Sequence, residues 1–114
     1  MYTIYHNPKC GKSRQALALL QQHNINPEIV LYLENKLTKS ELKKIAKLLN
    51  KKPIQFTRAK EPEFKLAKLT NKSSDEEILD AMVTYPKLIE RPIVVKDGKQ
   101  ARLGRPVENI LEII

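Results

Sequence analysis

YTIYHNPKCGKSRQALALLQQHNINPEIVLYL, residues 2–33, is the stretch that decides the fold. Tyr2 to Tyr5 is rich in β-formers and stops at the turn-forming pair Asn7-Pro8, which marks a short strand. A helix is expected to begin near Cys10 or Gly11. Ala16, Leu17 and Leu20 then share one face at the i, i+3, i+4 spacing of a helix packed on a core, and Asn24 to Pro27 ends it. Glu28 to Leu33 is nearly continuous in apolar residues, the pattern of a strand covered on both faces. The opening is therefore read as a βαβ unit.

Outward from it, Thr38-Lys39-Ser40-Glu41 forms a capping box, in which hydroxyl and carboxylate each satisfy an orphan N–H at a helix start. Leu42, Ile45, Ala46 and Leu49 follow at helical spacing, and Pro53 lies just beyond. Glu61 to Leu69 reads as a short helix. Ser74-Asp75-Glu76-Glu77 repeats the capping logic ahead of Ile78, Leu79, Met82 and Val83, until Pro86 closes the helix. Arg91 to Val95 begins a strand, Asp97-Gly98 is a two-residue hairpin signal, and Gln100 to Leu103 returns. Pro106 suits the first position of a last helix, with Val107, Ile110, Leu111 and Ile114 on one face. The order βαβ, helices, ββα gives an α/β class. With no repeat and no long linker, residues 1–114 read as one domain.

Hydrophobic residues at 41% and charged residues at 30% are ordinary globular composition. No apolar run approaches the roughly 18 residues that span a bilayer, so no membrane association is expected. The first ten residues have neither a basic leader nor an apolar signal core, and a cytoplasmic location is expected. A single cysteine excludes an internal disulfide. The net charge of +8 favours anionic partners: nucleic acid, an anionic membrane or a small oxyanion. Lys43, Lys44, Lys47, Lys51 and Lys52 lie near no aromatic platform, so they are read as a solvated face rather than a nucleic-acid surface.

Cys10 sits between a strand end and a helix start, where the helix dipole and unpaired backbone N–H groups favour thiolate. With a free-thiol pKa near 8.5, about 3% is thiolate at pH 7; lowering the pKa by about two units makes thiolate the major form. Cys10-Gly11-Lys12-Ser13 has Ser where a dithiol oxidoreductase has its second Cys, so an outside thiol must resolve any adduct. Gly11-Lys12-Ser13 also mimics the end of a phosphate-binding loop. His6 occupies the required first glycine, so the motif fails, yet the backbone at that helix start is suited to cradle a tetrahedral anion. His6, four residues before Cys10, is a candidate to orient or deprotonate it, and a structural histidine is an equal reading. His23 is read as exposed or capping. No cluster of Cys, His and carboxylate has ligand spacing, so no metal is expected.

Tyr5-His6-Asn7-Pro8-Lys9-Cys10-Gly11-Lys12-Ser13-Arg14 resembles the signature of the glutaredoxin-linked arsenate reductase family. Leu31 to Asn35 and Glu90 to Val95 are similar to further blocks of that family, and the likeness covers nearly the whole chain. It implies a thioredoxin-like fold with a central mixed sheet flanked by helices. It also implies a cysteine, here Cys10, that attacks arsenate, and three arginines around the anion, here Arg58, Arg91 and Arg105. Pro92 would be cis beside the thiol. Arg14 and Arg102 are left as surface or secondary residues. Glutathione as co-substrate and glutaredoxin as partner follow from the same resemblance, with no bound cofactor. Lys12 departs from the threonine common in the family. The rival reading is an Spx-type regulator that binds RNA polymerase; many of those carry Cys-x-x-Cys, which Ser13 removes here. A third is a related enzyme acting on another oxyanion or a glutathione adduct.

Overall fold

The computed structural model describes residues 1–114, which fall into two compact units, one of residues 1–35 with 91–114 and one of residues 36–90. The first unit holds the sheet. Strands β1 (Tyr2–Tyr5), β2 (Glu28–Val30), β3 (Ile93–Lys96) and β4 (Gln100–Leu103) lie in the order β2-β1-β3-β4. β1 pairs parallel with β2, as the crossover through helix α1 (Gly11–Gln22) requires, and antiparallel with β3; β3 and β4 form the hairpin.

Ile4 faces Val94 across the β1–β3 pair. With Ala16 and Leu20 of α1 and Ile110 and Ile113 of the last segment, they form a core in which no member is more than 2% exposed. The hairpin turn places both Asp97 and Gly98 at positive φ, as the sequence suggests, and Lys99 N–H donates to Lys96 O at 3.0 Å.

Two expectations need correction. The apolar run after Pro27 yields a strand of only three residues, because β2 is an edge strand, and Ile29 is 47% exposed rather than covered on both faces. The closing helix is a 3-10 helix, Val107–Ile113, and Pro106 flanks it in extended conformation instead of occupying its first turn. At three residues per turn the inward face is Val107, Ile110 and Ile113, which leaves Leu111 and Ile114 exposed.

The second unit is helical: α2 (Lys39–Leu49), α3 (Pro62–Leu66) and α4 (Asp75–Thr84), with 3-10 turns at Pro53–Phe56 and Pro86–Leu88. Both capping boxes form. Glu41 and Glu77 amides donate to Thr38 Oγ1 and Ser74 Oγ, each at 3.1 Å, and the glutamates accept back from the Thr38 and Ser74 amides. α2 packs on α4, with Leu42, Ile45, Ile78 and Met82 each no more than 2% exposed. A bridge pairs Thr57 with Ile89, so Arg58 N–H donates to Leu88 O at 2.7 Å and Glu90 N–H to Phe56 O at 2.8 Å.

Candidate active site

The sharp turn after β1 places Cys10 immediately before α1, at extended φ and ψ. Its N–H donates to Asn7 O at 3.0 Å, and Arg14 N–H donates to Cys10 O at 3.0 Å, which closes the first helical turn behind it. The thiol is half-buried. Burial alone would push its pKa up. The Ser13 amide, the Arg91 guanidinium, the Lys12 amide and the Arg91 charge together outweigh burial and hold Cys10 below the ordinary thiol value. The helix start therefore acts through its backbone, as the sequence suggests.

Two expected arginines converge on Cys10 from the far end of the chain. Arg91 hydrogen-bonds the sulfur; burial works against its charge, and contacts with Cys10 and Tyr32 more than restore it. Arg105 Nη2 lies 3.8 Å from Cys10 Sγ, near the limit for a bond to sulfur, while its Nε donates to Arg91 O at 2.7 Å. The carbonyl of one arginine thus orients the guanidinium of the other. Both residues precede cis prolines, Pro92 and Pro106, the first as the resemblance implies. Asn109 Nδ2 donates to Leu103 O and Arg105 O, each at 3.2 Å, and Gly104 N–H donates to Pro92 O at 2.8 Å. A Cβ at Gly104 would lie 2.8 Å from Pro92 Cγ, so only glycine lets the two proline loops approach this closely.

His6 and Ser13 form a pair of their own. His6 is 6% exposed and Ser13 fully buried; His6 Nδ1 lies 2.6 Å from Ser13 Oγ, which also accepts from Asn7 N–H at 3.1 Å. Burial, and then the charge of Arg14, lower the His6 pKa, so the ring is neutral near pH 7. The ring of His6 thus bonds Ser13, and Ser13 in turn ties the Asn7 turn to α1. Gly11 opens the first turn and Lys12 is exposed.

Arg58 belongs to the second unit. Its Nη1 donates to Glu90 at 2.9 Å, and its Nη2 and Nε to Glu61 at 3.2 and 3.3 Å, so two carboxylates hold this guanidinium. Sequence reasoning missed these partners, and it missed Tyr32, fully buried, as a neighbour of Arg91. The signal for Tyr32 was its place within the Leu31–Asn35 block.

The chain is 44% identical over 113 residues to an arsenate reductase of Haemophilus influenzae, covering 97% of each chain. It is 39% identical to an arsenate reductase of Escherichia coli, of which it covers 79%. The solved structure of an arsenate reductase from Vibrio cholerae superposes with a TM-score of 0.93 at 46% identity, covering 99% of this chain and 97% of that one. The fold is accordingly thioredoxin-like. The ArsC family model matches residues 5–113, from the last residue of β1 to the penultimate residue of the chain, and the protein belongs to the ArsC family.

Proposed function

We propose that the chain reduces arsenate to arsenite, with Cys10 as nucleophile. The observation that carries this reading is the convergence of Arg91 and Arg105 on a thiol whose pKa is lowered at a helix start. A thiolate attacking an oxyanion meets electrostatic repulsion. Two guanidiniums fixed in advance offset it, and each presents the planar fork that suits oxyanion geometry. The arsenate reductases among its relatives support the substrate. The amides of Gly11, Lys12 and Ser13 add donors at the positive end of α1, and Arg58 is the third arginine that the family resemblance assigns to the anion.

In the first step Cys10 Sγ bonds to arsenic and one arsenate oxygen leaves as water. Glutathione thiolate then attacks Cys10 Sγ, and the sulfur–arsenic bond breaks with its electron pair moving to arsenic. Arsenic passes from +5 to +3 and departs as arsenite, leaving Cys10 in a mixed disulfide with glutathione. Glutaredoxin removes the glutathione and restores the thiolate. The chain has no second cysteine, which fits an outside resolving thiol. His6 shapes the loop through Ser13 and so orients the nucleophile. A cytoplasmic location, where glutathione is abundant and thiols stay reduced, belongs to the same reading. The test is arsenate-dependent oxidation of NADPH in a coupled assay with glutathione, glutaredoxin and glutathione reductase. Turnover is expected, and its absence at saturating arsenate overturns the reading.

A further inference from the structure

A cleft of about 250 Å³ opens in the first unit, lined by His6, Asn7, Pro8, Lys9, Leu31, Leu33 and Glu34. One wall is the loop that leads directly into Cys10, and the other is the chain leaving β2. Both walls are fixed. Arg14 Nη1 donates to Pro8 O at 3.1 Å, Lys9 N–H to Asn7 Oδ1 at 3.0 Å, and the amides of Glu34 and Asn35 to Leu31 O at 3.0 and 2.9 Å. The volume lies just below the usual range of small-molecule pockets, roughly 300–1,000 Å³, enough to seat part of a short peptide. Its lining joins an apolar strip, Pro8, Leu31 and Leu33, to one ammonium, Lys9, and one carboxylate, Glu34.

We infer that this cleft binds the low-molecular-weight peptide thiol that discharges Cys10, with Lys9 taking a carboxylate of that peptide and Glu34 its ammonium. The inference rests on the arsenate reductase reading for the identity of the step. Glutathione carries two carboxylates and one ammonium, so a mixed pair of opposite charges suits it, whereas a site for an oxyanion alone gains nothing from Glu34. Lys9, which lines the cleft, immediately precedes Cys10 in the chain, so a peptide held there needs no new segment of the protein to be ordered before its sulfur reaches Cys10 Sγ. Attack forms the sulfur–sulfur bond as the sulfur–arsenic bond breaks, so the electron pair goes to arsenic.

The experiment uses the full chain with Lys9→Gln, Glu34→Gln and Leu33→Trp, the last chosen because Leu33 is 36% exposed and bulk there fills the cleft without entering the core. One readout is independent of arsenate: the rate at which Cys10 forms a mixed disulfide with glutathione disulfide, set against hydroxyethyl disulfide, which has no charge. Each variant should slow the glutathione reaction about fivefold and leave the neutral disulfide within twofold. In the coupled assay the KM for glutathione should rise by a similar factor while the KM for arsenate stays within twofold. Equal slowing with both disulfides, or no change with either, overturns the cleft assignment. If wild type turns over no arsenate yet the variants separate the two disulfides, the cleft stands and the arsenate reading falls.

Discussion

Arg105 Nη2 stands 3.8 Å from Cys10 Sγ although 95 positions separate them in the sequence. The same guanidinium leans on the carbonyl of Arg91, so the two cations are placed as one assembly. For the kinetics, Arg91→Ala and Arg105→Ala should each cost of order 2–4 kcal/mol in the transition state. Arg91→Lys should recover part of this, because lysine keeps the charge and loses the fork. The measurement is kcat/KM for arsenate with circular dichroism as folding control; wild-type values in both Ala variants would remove these residues from the anion site.

Cys10 should titrate below an ordinary thiol, and Arg91→Ala should move its pKa back upward, since the Arg91 hydrogen bond and charge are among the causes of its depression. Iodoacetamide alkylation followed across pH reads both values. An inflection at or above about 8.5 in wild type would contradict the thiolate argument.

Cys10→Ser should abolish turnover and leave the fold intact, because the change is nearly isosteric and replaces a strong nucleophile with a weak one. Turnover retained by the folded variant would place the chemistry elsewhere.

The buried pair of His6 and Ser13 makes two stability claims. Ser13→Ala strands the Asn7 N–H and His6 Nδ1, at a cost of about 1–3 kcal/mol, readable by urea denaturation. The folded His6 pKa lies below the unfolded 6.5. The unfolded chain therefore binds a proton before the folded one does, and stability is full above 6.5 and declines as pH falls through the folded value. His6→Gln should flatten that decline between pH 7 and 5; an unchanged slope would assign it to other groups.

Arg58→Ala should destabilise the helical unit by about 1–2 kcal/mol, since it leaves Glu61 and Glu90 without their shared cation and close in space. Glu90→Gln, which keeps an acceptor, should cost less. Urea midpoints of the two variants against wild type decide this, and wild-type midpoints in both would show that the trio contributes nothing.

How far the sequence foretold this molecule depended on whether its signals were local. Thr38 and Glu41, Ser74 and Glu77, and Asp97 and Gly98 act over three residues or fewer, and each formed the motif its chemistry dictates. The run from Glu28 to Leu33 misled because apolar content reports burial and not pairing: Tyr32 is fully buried, yet beyond the strand. Val107 to Ile114 misled because apolar residues at 107, 110, 111 and 114 fit a 3.6-residue period, while the chain adopted three residues per turn. At the site, Cys10 declared itself by its flanks. Arg91 and Arg105 could be chosen from five arginines only through family resemblance, because convergence on Cys10 over 81 and 95 positions leaves no periodic trace. The carboxylates around Arg58 were hidden for the same reason, 32 positions lying between Arg58 and Glu90.

Gly104 reaches neither sulfur nor anion, yet a single methyl group there would collide with the rigid ring of Pro92, directly behind Arg91. A saturation library scored for arsenate reduction by the purified variants would therefore record position 104 as intolerant as the nucleophile itself, while scoring for soluble expression would set the two apart. Cys10 variants would express normally, and Gly104 variants would also lose yield. A residue with no side chain thus sets the clearance on which the placement of both guanidiniums depends.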